Sequence, residues 1–160
     1  MLQRLLLLRS ISLSPNFGRL VLRVAIFLPL FMKHGIEKLF TFSTMAQHYV
    51  DPVHIGPVPT LVIAMISDGI CSLLLVVGFA TRWAALYSFC NLFVAWSLVH
   101  HFALVSRRDS GGETIFIYMA ACAALFFLGA GKYSIDGIIQ NALEKQESEQ
   151  TPSRAGLVQA

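Results

Sequence analysis

Three stretches constrain this chain most, because each is near the roughly 20 apolar residues needed to cross about 30 Å of hydrocarbon. They are TLVIAMISDGICSLLLVVGFA (60–80), whose single charge is Asp68, and the uncharged WAALYSFCNLFVAWSLVHHFALV (83–105) and TIFIYMAACAALFFLGAG (114–131). A fourth stretch, about 17–40, reaches membrane thickness only if Arg19, Arg23 and the polar ending FMKHGIEKLF are included. Basic side chains near helix ends can snorkel to the headgroups, so it counts as a span. Charged residues make up 13% of the chain, against about 25% in a soluble domain, which argues against a soluble fold. The sequence predicts an all-α, integral membrane four-helix bundle with spans of about 17–40, 60–80, 83–105 and 113–131.

The flanks complete the organisation. Residues 1–16, opening MLQRLLLLRSISLS, have too short an apolar core and no clean small-residue cleavage site for a signal peptide, so an interfacial segment is expected. The transmembrane domain covers 17–140, and the polar stretch 141–160 reads as a disordered cytoplasmic tail. An even number of spans puts both termini on one side. That side carries Arg4, Arg9, Arg19, Arg82, Lys132, Lys145 and Arg154 against Lys33, Lys38, Arg107 and Arg108 opposite, which places both termini in the cytoplasm. The net charge of +3 is thus topological, and no nucleic acid is expected as a partner.

Polar residues inside the spans are the candidates for function, since a charge in hydrocarbon costs about 2.5–3.5 kcal/mol even on lenient scales. Residues 11 apart on a helix return to nearly the same face, so Arg23 and His34 share one, and Lys38 continues it a turn later. Arg23 lies about 16 Å below His34, and Asp68 enters from the opposite end about 12 Å deep. An Arg23–Asp68 ion pair is therefore expected, either as a register lock between helices or as part of a working site. Lys33 and Glu37 fall off this face, towards headgroups and water. Glu113 follows Gly111 and Gly112 and belongs in the first turn of the last span, where the helix dipole favours a carboxylate; it could alternatively handle protons at the mouth of the bundle.

Other signals exclude more than they assign. His34, His48, His54, His100 and His101 gather at the outer ends, with Asp51, Asp109 and Glu113, but no HxxxH or HxxE spacing occurs. They read as interfacial histidines, and no metal site is expected. Cys71, Cys90 and Cys122 fall one to each later span without a CxxC pair, as small packing residues rather than a disulfide or redox centre. No GxGxxG in a suitable context, CxxCH or cysteine cluster is present, so no intrinsic cofactor is expected. In GAGKYSID, the glycines end the last span and Ser134 or Asp136 is placed to cap a following helix.

Three segments, LRVAIFLPLFMKHGIEKLF, IGPVPTLVIAMISDGICSLLLVVGFATRWAAL and GGETIFIYMAACAALFFLGAGKYSID, resemble the DoxX family of small four-helix membrane proteins. The likeness covers roughly 17–137, with Asp68 where the family often has Glu and Lys132 where Arg is frequent. It implies a multi-pass protein of the bacterial inner membrane that serves as the membrane subunit of a redox complex. The expected link is to quinone or to sulfur, thiol and oxidative-stress metabolism, alongside soluble partners such as a sulfurtransferase or superoxide dismutase. If the chain takes part in catalysis, it does so as an oxidoreductase subunit with that partner. A quinone headgroup site would be lined by Arg23, His34, Asp68 and Glu113, with Lys38 on the same stripe. The alternative is a carrier or scaffold for a small lipophilic or thiol metabolite; a carrier of four helices would have to be a homo-oligomer.

Overall fold

A computed structural model of the chain describes residues 14–104 and 111–150, and among them all regular structure is helical. The first helical rod comprises α1 (Pro15–Leu30), a π-helical segment Phe31–Gly35 and α2 (Ile36–Phe40), and is followed by the short α3 (Phe42–His48). The second comprises α4 (Pro57–Met65), a π segment Ile66–Cys71 and α5 (Ser72–Val77). The third joins α6 (Thr81–Val94) to a π segment Ala95–Val99. The fourth is α7 (Gly111–Leu128), and α8 (Ile135–Gln150) follows it. Backbone angles stay right-handed through each α-to-π junction, so each rod is continuous.

The rods pack in a ring: first on second, second on third, third on fourth and fourth on first. Their shared core is Phe27, Leu30, Cys71, Leu75, Ala84, Ala85, Leu92, Met119, Ala121, Cys122 and Leu125. Small buried residues concentrate on the two helices where α6 meets α7, Ala84, Ala85 and Ser88 on one and Ala121 and Cys122 on the other, and such residues allow close helix approach. Two rods, Pro57–Val77 and Gly111–Leu128, are long and apolar enough to cross a membrane. Large apolar side chains also cover the outside: Phe40 is 86% exposed, Phe127 78% and Trp83 77%.

Several boundaries differ from the sequence reading. The third rod stops at Val99 rather than 105, because the chain then reverses tightly, with His101 and Phe102 at positive φ and the Ala103 N–H on the His100 carbonyl at 2.8 Å. Phe102 folds back edge-on to Trp96, with ring centroids 5.1 Å apart. The fourth rod ends at Leu128 because Gly129 and Gly131 take positive φ. Residues 141–150, placed above in the disordered tail, continue α8, where Gln140 donates to Glu144 one turn on in a run rich in helix formers. The interfacial segment expected over 1–16 lies outside the described residues up to 13, as does the tail beyond 150.

Two side-chain networks fix the ends of the ring. Asp51 accepts from the Ile55 N–H at 3.2 Å, the Gly56 N–H at 2.6 Å and Thr60 Oγ1 at 2.8 Å, holding the loop before α4. At the other end, Arg23 is fully buried and its Nη2 donates to the Tyr133 carbonyl. Asp136 accepts from the Ala80 and Thr81 N–H groups at 2.8 and 2.9 Å, while its own N–H meets the Gly78 carbonyl at 2.9 Å. Of the two expected caps, Ser134 serves its own helix by accepting from the Gly137 N–H at 3.0 Å. Asp136 caps α6 instead.

The first and second rods touch backbone to backbone. A Cβ on Gly35 would sit 2.6 Å from the Asp68 carbonyl oxygen and 2.9 Å from Gly69 Cα, whereas one on Gly18 would meet nothing within 4 Å. Gly35→Ala is expected to destabilise the protein by about 1–3 kcal/mol through overpacking, and Gly18→Ala to leave it unchanged or slightly more stable, as read by thermal unfolding in mild detergent.

The Asp51 carboxyl is held below its ordinary 3.8: partial desolvation pushes it up, but hydrogen bonds from Thr60, Gly56 and Ile55 outweigh this, aided by His54. A depressed carboxyl lends its full stabilisation above its unfolded value and loses it as pH falls through the folded one. Between about pH 4 and pH 2 the wild type should therefore lose more thermal stability than Asp51→Asn does; parallel losses would contradict this role.

Candidate functional site

Backbone irregularity creates the site. A π segment inserts an extra residue into the turn, and such insertions recur where proteins work. Here the π segments of the first two rods face each other with Gly35 against Gly69. Asp68 directly precedes Gly69, and Lys38 lies one turn beyond Gly35, so the close crossing brings their side chains together. Lys38 Nζ forms a buried ion pair with Asp68 Oδ2; the two residues are 9% and 7% exposed.

This pair lines a cavity of about 500 Å³ between the rods, within the usual range for small-molecule sites. Leu30, Ala64, Leu92 and Ile115 supply apolar wall, His34 and Tyr118 line it beside the pair, and Tyr49, Val50, Val53 and Ile55 close it from the loop that Asp51 holds. Tyr87 and Asn91 come from one face of α6. Tyr87 donates weakly to the Ile63 carbonyl at 3.4 Å. Among the described residues, the second oxygen of Asp68, Oδ1, is buried with no hydrogen-bond partner, as are Ser67 Oγ and Trp96 Nε1. Burial pushes the Tyr49 hydroxyl above its ordinary range, and the negative charge of Asp68 adds to the effect.

The expected Arg23–Asp68 pair does not form. The glycine crossing sets Asp68 level with Gly35, and Arg23 lies 12 residues earlier on the same rod, about 18 Å away along the axis. Arg23 is spent at the other end of the ring, on the Tyr133 carbonyl and near Asp136. Of the remaining candidates, His34, Lys38 and Asp68 meet in one cavity, while Glu113 stands exposed in the first turn of α7 and does not line it. The sequence reading missed Tyr49, Tyr87, Asn91 and Tyr118 as wall residues; polar side chains four apart at 87 and 91 within an apolar run were the available signal.

Among the histidines, His34 and His100 line the cavity, and His48, His54 and His101 are exposed. Among the described residues, no group of three or more His, Cys, Asp or Glu comes together as metal ligands would. Cys71 and Cys122 are buried, whereas Cys90 is exposed and lines the cavity. A second cleft, of about 780 Å³, lies at the Arg23 end, with Arg19, Arg82 and Lys132 beside Asp136 and Glu144.

An ammonium, a carboxylate and an imidazole set in apolar walls can orient a polar headgroup and exchange protons with it, while the walls accept an apolar body. Comparison with known proteins agrees with the apolar, helical architecture. The family model described as DoxX matches residues 18–101. An uncharacterized protein of Haemophilus influenzae is 30% identical over 114 residues, which is 69% of this chain and 76% of its own length. No solved structure matches.

Breaking a buried pair by removing one partner costs about 3–5 kcal/mol, whereas replacing both by apolar residues is often neutral. Lys38→Met should therefore destabilise the protein strongly and Lys38→Met/Asp68→Leu should recover most of the loss, as measured by thermal unfolding. Equal destabilisation by the two would show that the charges are not coupled.

Proposed function

From the premise that the chain belongs to the DoxX family, we propose that it is a multi-pass inner-membrane protein that binds a quinone in the Lys38–Asp68 cavity and acts as the membrane subunit of a redox complex. All four rods cross the bilayer in this reading, with both termini in the cytoplasm. The apolar outer surface supports it, including Val21, Val24 and Leu28 on the first rod and Phe116, Ile117 and Phe127 on the fourth. So does α8: Ile135, Ile138, Ile139 and Leu143 are all exposed at helical spacing, as suits a helix lying in the headgroup layer.

The observation that carries the ligand reading is a buried ion pair in the wall of a largely apolar cavity. Lipid-facing packing alone gives no reason to keep such a pair, since apolar residues would stabilise the rods equally well. A quinone has an apolar body and a polar headgroup whose redox change is coupled to protons. Lys38 and His34 could hold its oxygens, and the His34 imidazole could pass protons. Electrons would come from a soluble partner, such as a sulfurtransferase or dismutase-linked system, which supplies the chemistry this chain's residues do not.

Native mass spectrometry of protein gently extracted from its own membrane tests this. Quinone, in its oxidised or reduced form, should accompany the wild type near one per chain and be lost from Lys38→Met/Asp68→Leu. Phospholipid alone on both forms would overturn the quinone reading.

A further inference from the structure

We infer that the cavity selects a ligand that donates a hydrogen bond through a hydroxyl, a lipophilic phenol or hydroquinone, and holds it on Asp68 Oδ1. The inference deepens the proposed ligand site and rests on it.

Asp68 is only 7% exposed and lines the cavity. Asp68 meets the Lys38 ammonium through Oδ2 as a buried ion pair, and the carboxylate of such a pair only accepts hydrogen bonds. Among the described residues its Oδ1 has no donor, although the wall carries several polar side chains. Tyr87, one of them, is turned to the Ile63 carbonyl. The missing partner must therefore donate, and leaving a buried charged acceptor unpaired is costly.

The chemistry of that partner is narrow. A quinone carbonyl or an ether offers only lone pairs, leaving Oδ1 unsatisfied and placing like partial charge against it. An amine would carry a second cation to the Lys38 ammonium. A thiol donates only weakly. A hydroxyl gives its proton to Oδ1 and keeps lone pairs to accept from Lys38, and an apolar body behind it meets Leu30, Leu92 and Ile115. Of a quinone and its reduced form, the cavity thus prefers the hydroquinone.

Cys90 provides a reporter, because it is exposed and lines the cavity while Cys71 and Cys122 are buried. The full chain in detergent is treated with a maleimide in the presence of 4-pentylphenol or of 4-pentylanisole, which share a body and differ in the hydroxyl proton; neither attacks thiols as quinones do. The phenol should slow alkylation of Cys90 at about tenfold lower concentration than the anisole, as one hydrogen bond to a charged group warrants. Lys38→Met/Asp68→Leu should abolish that preference, and Asp68→Glu, which keeps the carboxylate, should retain it. Equal protection of the wild type by both compounds, or a preference that survives in the double variant, would overturn the donor inference while leaving the cavity as a ligand site. No protection of the wild type by either compound would overturn both.

Discussion

The close crossing of the first two rods at Gly35 and Gly69 is the contact on which the remaining geometry depends. With no side chain between them, the backbones approach until a Cβ on Gly35 would strike the Asp68 carbonyl. That approach fixes the level of one rod against the other, and with it the partner of Asp68. An ammonium on a flexible stem, one turn past the glycine, reaches a short carboxylate held beside the crossing. A bulkier pair of residues would part the rods and leave the charges facing lipid or one another's absence.

Each end of the ring is secured differently. Around the cavity, Asp51 gathers three donors from its own loop and from the helix just after it, a local device within ten residues. At the opposite end the links span the whole chain: Arg23 reaches Tyr133, and Asp136 reaches Ala80 and Thr81. Gly78 sits at the centre of this second knot. Its positive φ ends α5, and a Cβ there would run into the Arg23 guanidinium, so the turn and the buried arginine require each other.

Helical class and family were legible because apolar runs and turn motifs are local properties. The runs at 60–80 and 114–131 fall on the rods Pro57–Val77 and Gly111–Leu128. The inward position of Lys38 could be read from its spacing to His34. Its partner could not: choosing between Arg23 and Lys38 for Asp68 needs the relative height of two rods, which a glycine contact decides and a helical wheel does not. The π segments were equally hidden, since no residue type marks an extra residue in a turn. Asp136 was read as a cap but assigned to the helix next to it, because a sequence shows neighbours along the chain and this carboxylate serves one 55 residues away.

That long reach has a consequence for how the chain is made. Ala80 and Thr81 leave the ribosome well before Asp136, and Arg23 precedes Tyr133 by 110 residues. At roughly 5–20 residues per second, the first three rods exist for seconds with α6 uncapped and a buried-type arginine unsatisfied. The last turn of the ring is thus also its closing step in time, because the partners of Arg23 and of the α6 N-terminus arrive only with GAGKYSID.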